Sequence, residues 1–165
     1  MTPEVDLLRQ QARTIHQVVL DNVAGLTHED SLTQPVPSGN CLNWVLGHLV
    51  LIDQRILRRL EQPAVISPDA LARYGRESLP LTDPSEAVPF PMLVDAWATS
   101  APGIDAGLAA LSPAALESRV GPTPANNNPT DTVCTLLTFL MFHQAYHAGQ
   151  TGILRRLAGK PGAIK

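Results

Sequence analysis

The chain has 165 residues, of which 44% are hydrophobic and 16% are charged, and its formal net charge is −3. This composition predicts one globular domain over residues 1–165 and excludes an intrinsically disordered chain. The acidic balance, together with the lack of any basic run, argues against a nucleic-acid partner and against an anionic membrane surface.

The sequence also carries no sign of export. No apolar run is long enough to span a membrane, and the apolar residues among the first twenty are interrupted by Glu4, Asp6, Arg9 and Arg13, unlike those of a signal peptide. We therefore expect a cytoplasmic protein. Because reducing compartments disfavour disulfides, Cys41 and Cys134 are predicted to be free thiols.

Four segments repeat apolar residues at intervals of three and four, which is the spacing of an amphipathic helix. The first covers about residues 2–25 and has Pro3 in its first turn, where proline is tolerated. The second covers about residues 40–61, and Asn40 is a plausible N-cap.

The third segment covers about residues 91–111 and contains Pro102, which predicts a kink or a break. The fourth begins near Thr130 or Asp131, either of which could cap it, and continues to about residue 158. Gly159 is the expected stop, and two arginines in the last turn suit the helix dipole.

No segment shows a sustained alternation of period two, so the predicted fold is all-α, a four-helix bundle with long second and third connections. These connections cover residues 62–90 and 112–129 and are rich in proline. Links of this length carry a function or cross between distant helix ends. The segment PTPANNNPT in the second of them is polar and is expected to be mobile.

The fourth helix contains an unusual polar stretch, FHQAYHAGQ, inside an apolar segment. Its histidines and last glutamine fall on two rows that repeat every seven residues, the positions that face a bundle interior. The rows are Val133, Leu140, His147, Leu154 and Leu136, His143, Gln150, Leu157. Because buried polar groups need partners, the bundle interior should hold something that satisfies both histidines.

A metal ion is one such partner. His143 and His147 are four residues apart on one helix face and can reach one cation. The third ligand predicted is His48, in NWVLGHLVLI, where Gly47 permits close approach of a neighbouring backbone or ligand. Three neutral imidazoles suit Zn²⁺, Ni²⁺ or Fe²⁺ and leave positions open for water or substrate.

A purely structural interpretation stays open. A pair of histidines at this spacing arises by chance in many chains, and these two could instead bond to each other or to Asn22 of the first helix. His16 and His28 are predicted to lie at the solvated surface. Gln144 stands where the HExxH signature of zinc peptidases has its glutamate base, which argues against peptide hydrolysis by that route.

Taken together, NWVLGHLV in the second helix and FHQAYHAGQTGILRRLAG in the fourth resemble the DinB-like (DinB/YfiT) superfamily. The resemblance covers most of the chain, and the most specific part is YHAGQ with the RRLAG that follows. It implies a four-helix bundle that holds a divalent metal through His48, His143 and His147. Members include thiol-dependent S-transferases and a mycothiol-dependent isomerase.

On this basis we expect a metal-dependent thiol S-transferase that acts on a small-molecule substrate through a metal-bound thiolate. Gln150 is expected to orient a histidine or a metal-bound water, or simply to contact another helix. Trp44 and Tyr146 are candidates for the mouth of the site. A homodimer, formed through the third helix or the loops, is also expected.

Two further functions remain open from the sequence. One is a hydrolase that uses a metal-bound hydroxide and needs no thiol. The other is a metal-binding or small-ligand-binding bundle without turnover.

Overall fold

The computed structural model describes residues 2–35, 39–121 and 131–164, and 68% of these residues are helical, with no strand among them. The all-α prediction is confirmed. The four long helices are α1 (Pro3–Val23), α3 (Leu42–Arg59), α4 (Phe90–Ala109) and α6 (Val133–Leu157), and the two short ones are α2 (His28–Ser31) and α5 (Pro113–Glu117).

Helix ends follow capping chemistry, with small shifts from the predicted positions. Thr2 caps α1 by accepting a hydrogen bond from the main-chain N–H of Val5. The N-cap of α3 is Cys41 rather than Asn40, and that of α6 is Thr132 rather than Thr130 or Asp131. Thr132 forms a reciprocal pair of hydrogen bonds with the residue three positions later, which explains its advantage as a cap.

The third long helix is not broken at its proline. Helix α4 is continuous from Phe90 to Ala109 with Pro102 inside it, so the predicted break is wrong. Pro102 lies on the exposed face, and so does Ala98, whose carbonyl loses its partner N–H. Water can hydrate that carbonyl, which reduces the penalty for proline at this position.

The four long helices form a ring of neighbours in which α1 and α3 each pack against α4 and α6. Arg9 binds Asp105 near the start of α1 and the end of α4, so these two helices run antiparallel. In contrast, α3 and α4 run parallel, since Asp53 contacts Ser100 and Leu57 packs on Gly103. The second connection must therefore return along the length of the bundle.

This second connection, residues 60–89, is here called the crossover. It contains two short 3₁₀-helices, Pro68–Tyr74 and Pro84–Glu86, and buries Leu71, Tyr74 and Leu81 in the bundle core. The third connection contains α5. The segment PTPANNNPT, expected to be mobile, covers residues 122–130 and lies outside the described residues.

Cys41 is buried and Cys134 is half-buried, and both are free thiols as predicted. Among the described residues, no helix is both long enough and apolar enough to cross a bilayer.

Candidate metal centre

The structure brings the three predicted histidines together. His48 comes from α3, and His143 and His147 come from successive turns of α6. One ring nitrogen of each lies within 4.8 Å of the others. The Nε2 atoms of His48 and His143 are 3.0 Å apart. Three imidazoles that are up to 99 positions apart in sequence, from His48 to His147, therefore share one small volume.

The two α6 histidines lie at the edge of the core rather than inside it. Both are half-buried, whereas His48 is buried. The predicted heptad rows are displaced, because the fully interior row of α6 is Leu137, Gln144 and Thr151. The cluster is consequently closed on its α3 side and open to solvent on the other.

The ring of His48 is fixed by a main-chain contact. Its Nδ1 lies 2.8 Å from the carbonyl oxygen of Tyr74 in the crossover. A carbonyl oxygen only accepts, so Nδ1 carries the proton and Nε2 presents a lone pair to the cluster. Trp44 stacks on the same ring, with centroids 5.0 Å apart and planes 8° apart, and its own Nε1–H donates to Ser78 at 2.9 Å.

Packing against the crossover explains why the segment NWVLGH has a glycine next to His48. A Cβ on Gly47 would lie 2.2 Å from the ring of Tyr74, so only glycine lets that ring pack here. The Tyr74 hydroxyl donates to Asn43 at 2.8 Å and accepts from the N–H of Val88 at 2.8 Å. Gly47 therefore admits a side chain, and that side chain brings the Tyr74 carbonyl to His48.

His147 is oriented by its own helix. Its Nδ1 lies 2.7 Å from Oε1 of Gln150, so Nδ1–H donates and Nε2 remains available as a ligand atom. Tyr146 is exposed and presents its ring edge-on to His147 at 5.3 Å. Of the two residues expected near the mouth, Trp44 is thus buried behind the cluster and Tyr146 stands at its open side.

The electrostatics favour neutral imidazoles. Burial lowers the pKa of His143 to about 4, with further contributions from His147, His48, Arg55 and Arg76. Burial also lowers the pKa of His48 and of His147, and the hydrogen bond that His147 donates to Gln150 offsets part of the shift at His147. At neutral pH all three rings are therefore uncharged, which is the state that binds metal.

The alternative of a bond between these histidines and Asn22 is wrong, because Asn22 donates to Thr151 at 3.0 Å instead. A bond between His48 and His143 does exist, and it satisfies two of the three ring nitrogens. Nε2 of His147 has no hydrogen-bond partner within the described part of the chain. Mutual pairing of the histidines therefore accounts for the cluster only in part.

A second buried polar cluster was missed by the sequence analysis. His16, which was predicted at the surface, is buried. Its Nε2 lies 2.9 Å from a carboxylate oxygen of Asp53, and its Nδ1 lies 2.8 Å from the carbonyl oxygen of Ala12. Its ring stacks on that of Trp97, with centroids 4.1 Å apart. Both nitrogens face acceptors, so the ring is an imidazolium paired with a carboxylate.

Asp53 is the centre of this second cluster. Besides His16, it accepts hydrogen bonds from Ser100 and, at 2.5 Å, from the amide of Gln144. All four long helices thus contribute to one buried carboxylate. The sequence did contain a signal that both residues are buried, because Asp53 directly follows Ile52 and His16 directly follows Ile15, each on the apolar stripe of its helix. A wider estimate of the buried face of α1 and α3 would have included both.

The second histidine predicted at the surface, His28, is half-buried. Its Nδ1 accepts a hydrogen bond from the N–H of Phe90 at 3.2 Å, at the first turn of α4. It caps an otherwise unpaired donor, so the surface prediction is wrong here too.

The fold and the cluster define an all-α bundle with a candidate three-histidine metal centre. Residues 10–151 match the sequence profile of the DinB superfamily, and the chain belongs to this family. The superfamily is in general associated with metal-dependent, enzyme-like proteins. This agrees with the chemistry of the three imidazoles.

One solved structure shows how far the fold is shared. The crystal structure of a conserved protein from Enterococcus faecalis is similar over 97% of this chain and 99% of that one, with a TM-score of 0.73 and 20% identity. At this identity the likeness shows the fold alone. No curated protein matches the chain.

Proposed function

We propose that this protein is a divalent-metal-dependent enzyme that transfers a small thiol to an electrophile, with His48, His143 and His147 as the metal ligands. The observation that carries the proposal is the convergence of three neutral ring nitrogens, two of them with their tautomer fixed from outside the cluster. Such a donor set fits Zn²⁺, Ni²⁺ or Fe²⁺ and leaves coordination positions free.

The chain's own residues hold and orient the ligand atoms. The Tyr74 carbonyl and the Gln150 amide oxygen each accept the Nδ1 proton of one histidine, which leaves Nε2 as the donor atom. Burial lowers the pKa of His48 and of His147, so both rings are uncharged at neutral pH. These features are the same ones that orient histidines in known metal sites.

A divalent cation at this cluster would lower the pKa of a bound thiol so that it is a thiolate at neutral pH. In the transfer, the sulfur forms a bond to an electrophilic carbon, the leaving group departs with its bonding pair, and the thiol proton passes to water. The half-exposed edge formed by His143 and His147 is the side from which small molecules can enter.

The surroundings of the cluster support an anionic ligand. Arg55 and Arg76 both contribute to the lowered pKa of His143, so positive potential reaches the ligand atoms. No carboxylate among the described residues contributes to the pKa of any of the three histidines. Positive potential stabilises a thiolate relative to a thiol. Arg55 is the main source of it, because Arg76 is paired with Glu77 at 3.6 Å.

The test combines metal content with activity. The purified protein should contain close to one divalent ion per chain, and it should consume a low-molecular-weight thiol when an alkylating electrophile is supplied. Chelator should lower its melting temperature, because metal binding stabilises only the folded state. His147→Ala should lose the metal, the activity and the response to chelator.

His28→Ala, which removes an imidazole elsewhere, should keep all three properties. If the wild-type protein and His147→Ala respond alike to chelator and neither contains metal, the cluster is structural and the proposal fails. Metal without thiol consumption would exclude the transferase but retain the metal centre.

A further inference from the structure

Helix α6 has two sides that are equally rich in large apolar residues. Its buried side includes five of them, and the two heptad rows predicted from the sequence also include five. The first set is Val133, Leu137, Leu140, Met141 and Leu154, and the second is Val133, Leu136, Leu140, Leu154 and Leu157. At about 100° per residue, roughly a quarter of a turn about the helix axis separates the two arrangements. Burial of large apolar side chains therefore does not by itself select between them.

That quarter turn matters because it would relocate two of the clustered histidines. In the observed rotation His143 and His147 lie half-buried at the edge of the bundle, where they meet His48. In the other rotation both would point into the bundle interior, which is where the sequence pattern predicted them. Something other than apolar burial therefore holds α6 in the rotation that brings the three imidazoles together.

Two buried polar residues of α6 have partners that the observed rotation provides and the other does not. Gln144 donates to a carboxylate oxygen of Asp53 on α3 at 2.5 Å, and Thr151 accepts from Asn22 on α1 at 3.0 Å. Gln144 and Thr151 are seven residues apart, and both are fully buried. A quarter turn would withdraw both from their partners, and buried polar groups rarely lack partners. A single buried polar contact can specify one helix arrangement over another in this way.

The contact with Asp53 is the stronger of the two. Its acceptor is a carboxylate, and hydrogen bonds to charged acceptors are stronger than those between neutral groups. Asp53 is also held by His16 of α1 and Ser100 of α4, so it is a fixed point to which α6 must turn. Because Gln144 directly follows His143, the rotation that aims Gln144 at Asp53 also determines where the neighbouring imidazole points.

Stability alone does not explain Gln144. Its Oε1 is buried, and no group in the described part of the chain donates to it. Leucine would fill a similar volume without a polar atom to satisfy, and replacing a buried polar group by an apolar one of similar size is often neutral or stabilising. A buried amide that is only half satisfied is instead the kind of residue that specifies an arrangement at some cost in stability.

We propose that Gln144 is a positioning residue, whose hydrogen bond to Asp53 sets the rotation of α6 and so aligns His143 and His147 with His48. The effect on the rotation of α6 stands on the contacts within the bundle. The effect on metal binding rests, in addition, on the proposed function. The two effects are therefore measured separately.

The rotation is tested without metal, by the reactivity of single cysteines towards a maleimide in the presence of chelator. Phe139→Cys, at a side chain that is 48% exposed, should react fast, and Ala148→Cys, at one that is 3% exposed, should react slowly. Cys134→Ser removes the half-buried native thiol from every protein compared. Adding Gln144→Ala should turn position 139 inward and position 148 outward. The rate at 148 should rise by about 10-fold or more, the shift expected from losing a hydrogen bond to a charged group, and the rate at 139 should fall.

Metal affinity is the second measurement. Gln144→Ala should weaken Co²⁺ binding by about 10-fold or more in a competition titration. Leu137→Ala is the matched control, because Leu137 lies one heptad before Gln144 and is equally buried. It should destabilise the metal-free protein more than Gln144→Ala does, yet keep the Co²⁺ affinity and the cysteine reactivities of the wild type. If Gln144→Ala is not helical by circular dichroism, Gln144→Met, which nearly keeps the volume, replaces it with the same expected results.

Unchanged cysteine reactivities in the Gln144 variant would overturn the proposal, whether or not the protein binds metal. Faster reaction at both cysteines would also overturn it, because that result describes a loosened helix rather than a rotated one. Equal losses of Co²⁺ affinity in Gln144→Ala and Leu137→Ala would do the same, since affinity would then simply follow stability. Opposite changes at the two cysteines in a protein that binds no Co²⁺ would support the positioning of α6 and exclude the metal centre.

Discussion

The Nδ1–H of His48 donates to the main-chain carbonyl of Tyr74 at 2.8 Å. A residue of the crossover thereby fixes the tautomer of a residue on α3. Since a main-chain carbonyl cannot be removed by substitution, the contact is best probed through Gly47, which provides the space for the Tyr74 ring.

Gly47→Ala should weaken both folding and metal binding. The added Cβ would come within 2.2–2.6 Å of three Tyr74 ring atoms, so the ring and its carbonyl must move. Overpacking of this kind costs about 1–3 kcal/mol, measurable by urea denaturation of the metal-free protein. Gly149→Ala is the matched control, because a Cβ there meets nothing within 4 Å and alanine favours a helix. Equal stability of the two variants would contradict the role of Gly47.

Gln150→Ala should reduce metal affinity without unfolding the protein. His147 would lose the acceptor that holds its Nδ1 proton 2.7 Å away. Loss of such a partner lowers metal affinity by about 10–100-fold, which a competition titration with a chromophoric chelator can measure. Gln150→Glu retains an acceptor and should bind metal like the wild type. If alanine and glutamate behave alike, the hydrogen bond does not orient the histidine.

The metal-free protein should lose stability as the pH falls from about 6.5 towards 4. Burial lowers the pKa of His143 to about 4, so the unfolded chain binds protons in this range that the folded chain does not. Urea denaturation at several pH values, with chelator present, should show this acid slope. His143→Ala should show a shallower slope, whereas His28→Ala should retain it. Parallel slopes in all three proteins would refute the assignment.

The pair of His16 and Asp53 should produce the opposite slope at high pH. Burial alone would lower the pKa of His16, but Asp53 and the Ala12 carbonyl raise it above 6.5. The pair's contribution is therefore complete below about pH 6.5 and is lost as the pH rises through the raised pKa. Asp53→Asn should flatten this alkaline slope and cost roughly 3 kcal/mol at pH 6.

The control for this experiment is Asp95→Asn, an exposed carboxylate on α4. It should keep both the alkaline slope and the stability of the wild-type protein. An unchanged slope in Asp53→Asn would show that His16 is not charged in the folded state.

The helices and the three histidines were predictable because they depend on local patterns. The spacing of apolar residues located every long helix to within a few residues, and the motif around His48, together with the HxxxH pair, named the cluster. The rotation of α6 about its own axis was not predictable from the sequence. Phe142 and Tyr146 on its solvent-facing side are large aromatic residues, much like the residues expected in the core beside Leu137. A helix that is apolar all round gives no preferred heptad register.

Contacts between residues that are far apart in the chain were also not predictable from the sequence. His16 and Asp53 are 37 positions apart, and each looks like an ordinary polar residue beside an apolar one. His16 is buried by contacts with Asp53 of α3 and with Trp97 and Ser100 of α4, none of which is near it in sequence. A close approach at Gly47 was predicted, but the group that approaches, the ring of Tyr74 in the crossover 27 residues further on, was not.

The division of the histidines between helices also constrains when a cation can bind. During translation His48 is synthesised early, as part of α3. His143 and His147 lie on α6, which is the last of the described helices to leave the ribosome. A nascent chain without α6 has one imidazole of the three and cannot hold the ion that we propose. If the cluster binds metal as we propose, loading must wait until α6 has been synthesised and has docked against α3. Uptake of a spectroscopically visible ion such as Co²⁺ would then report the docking of α6.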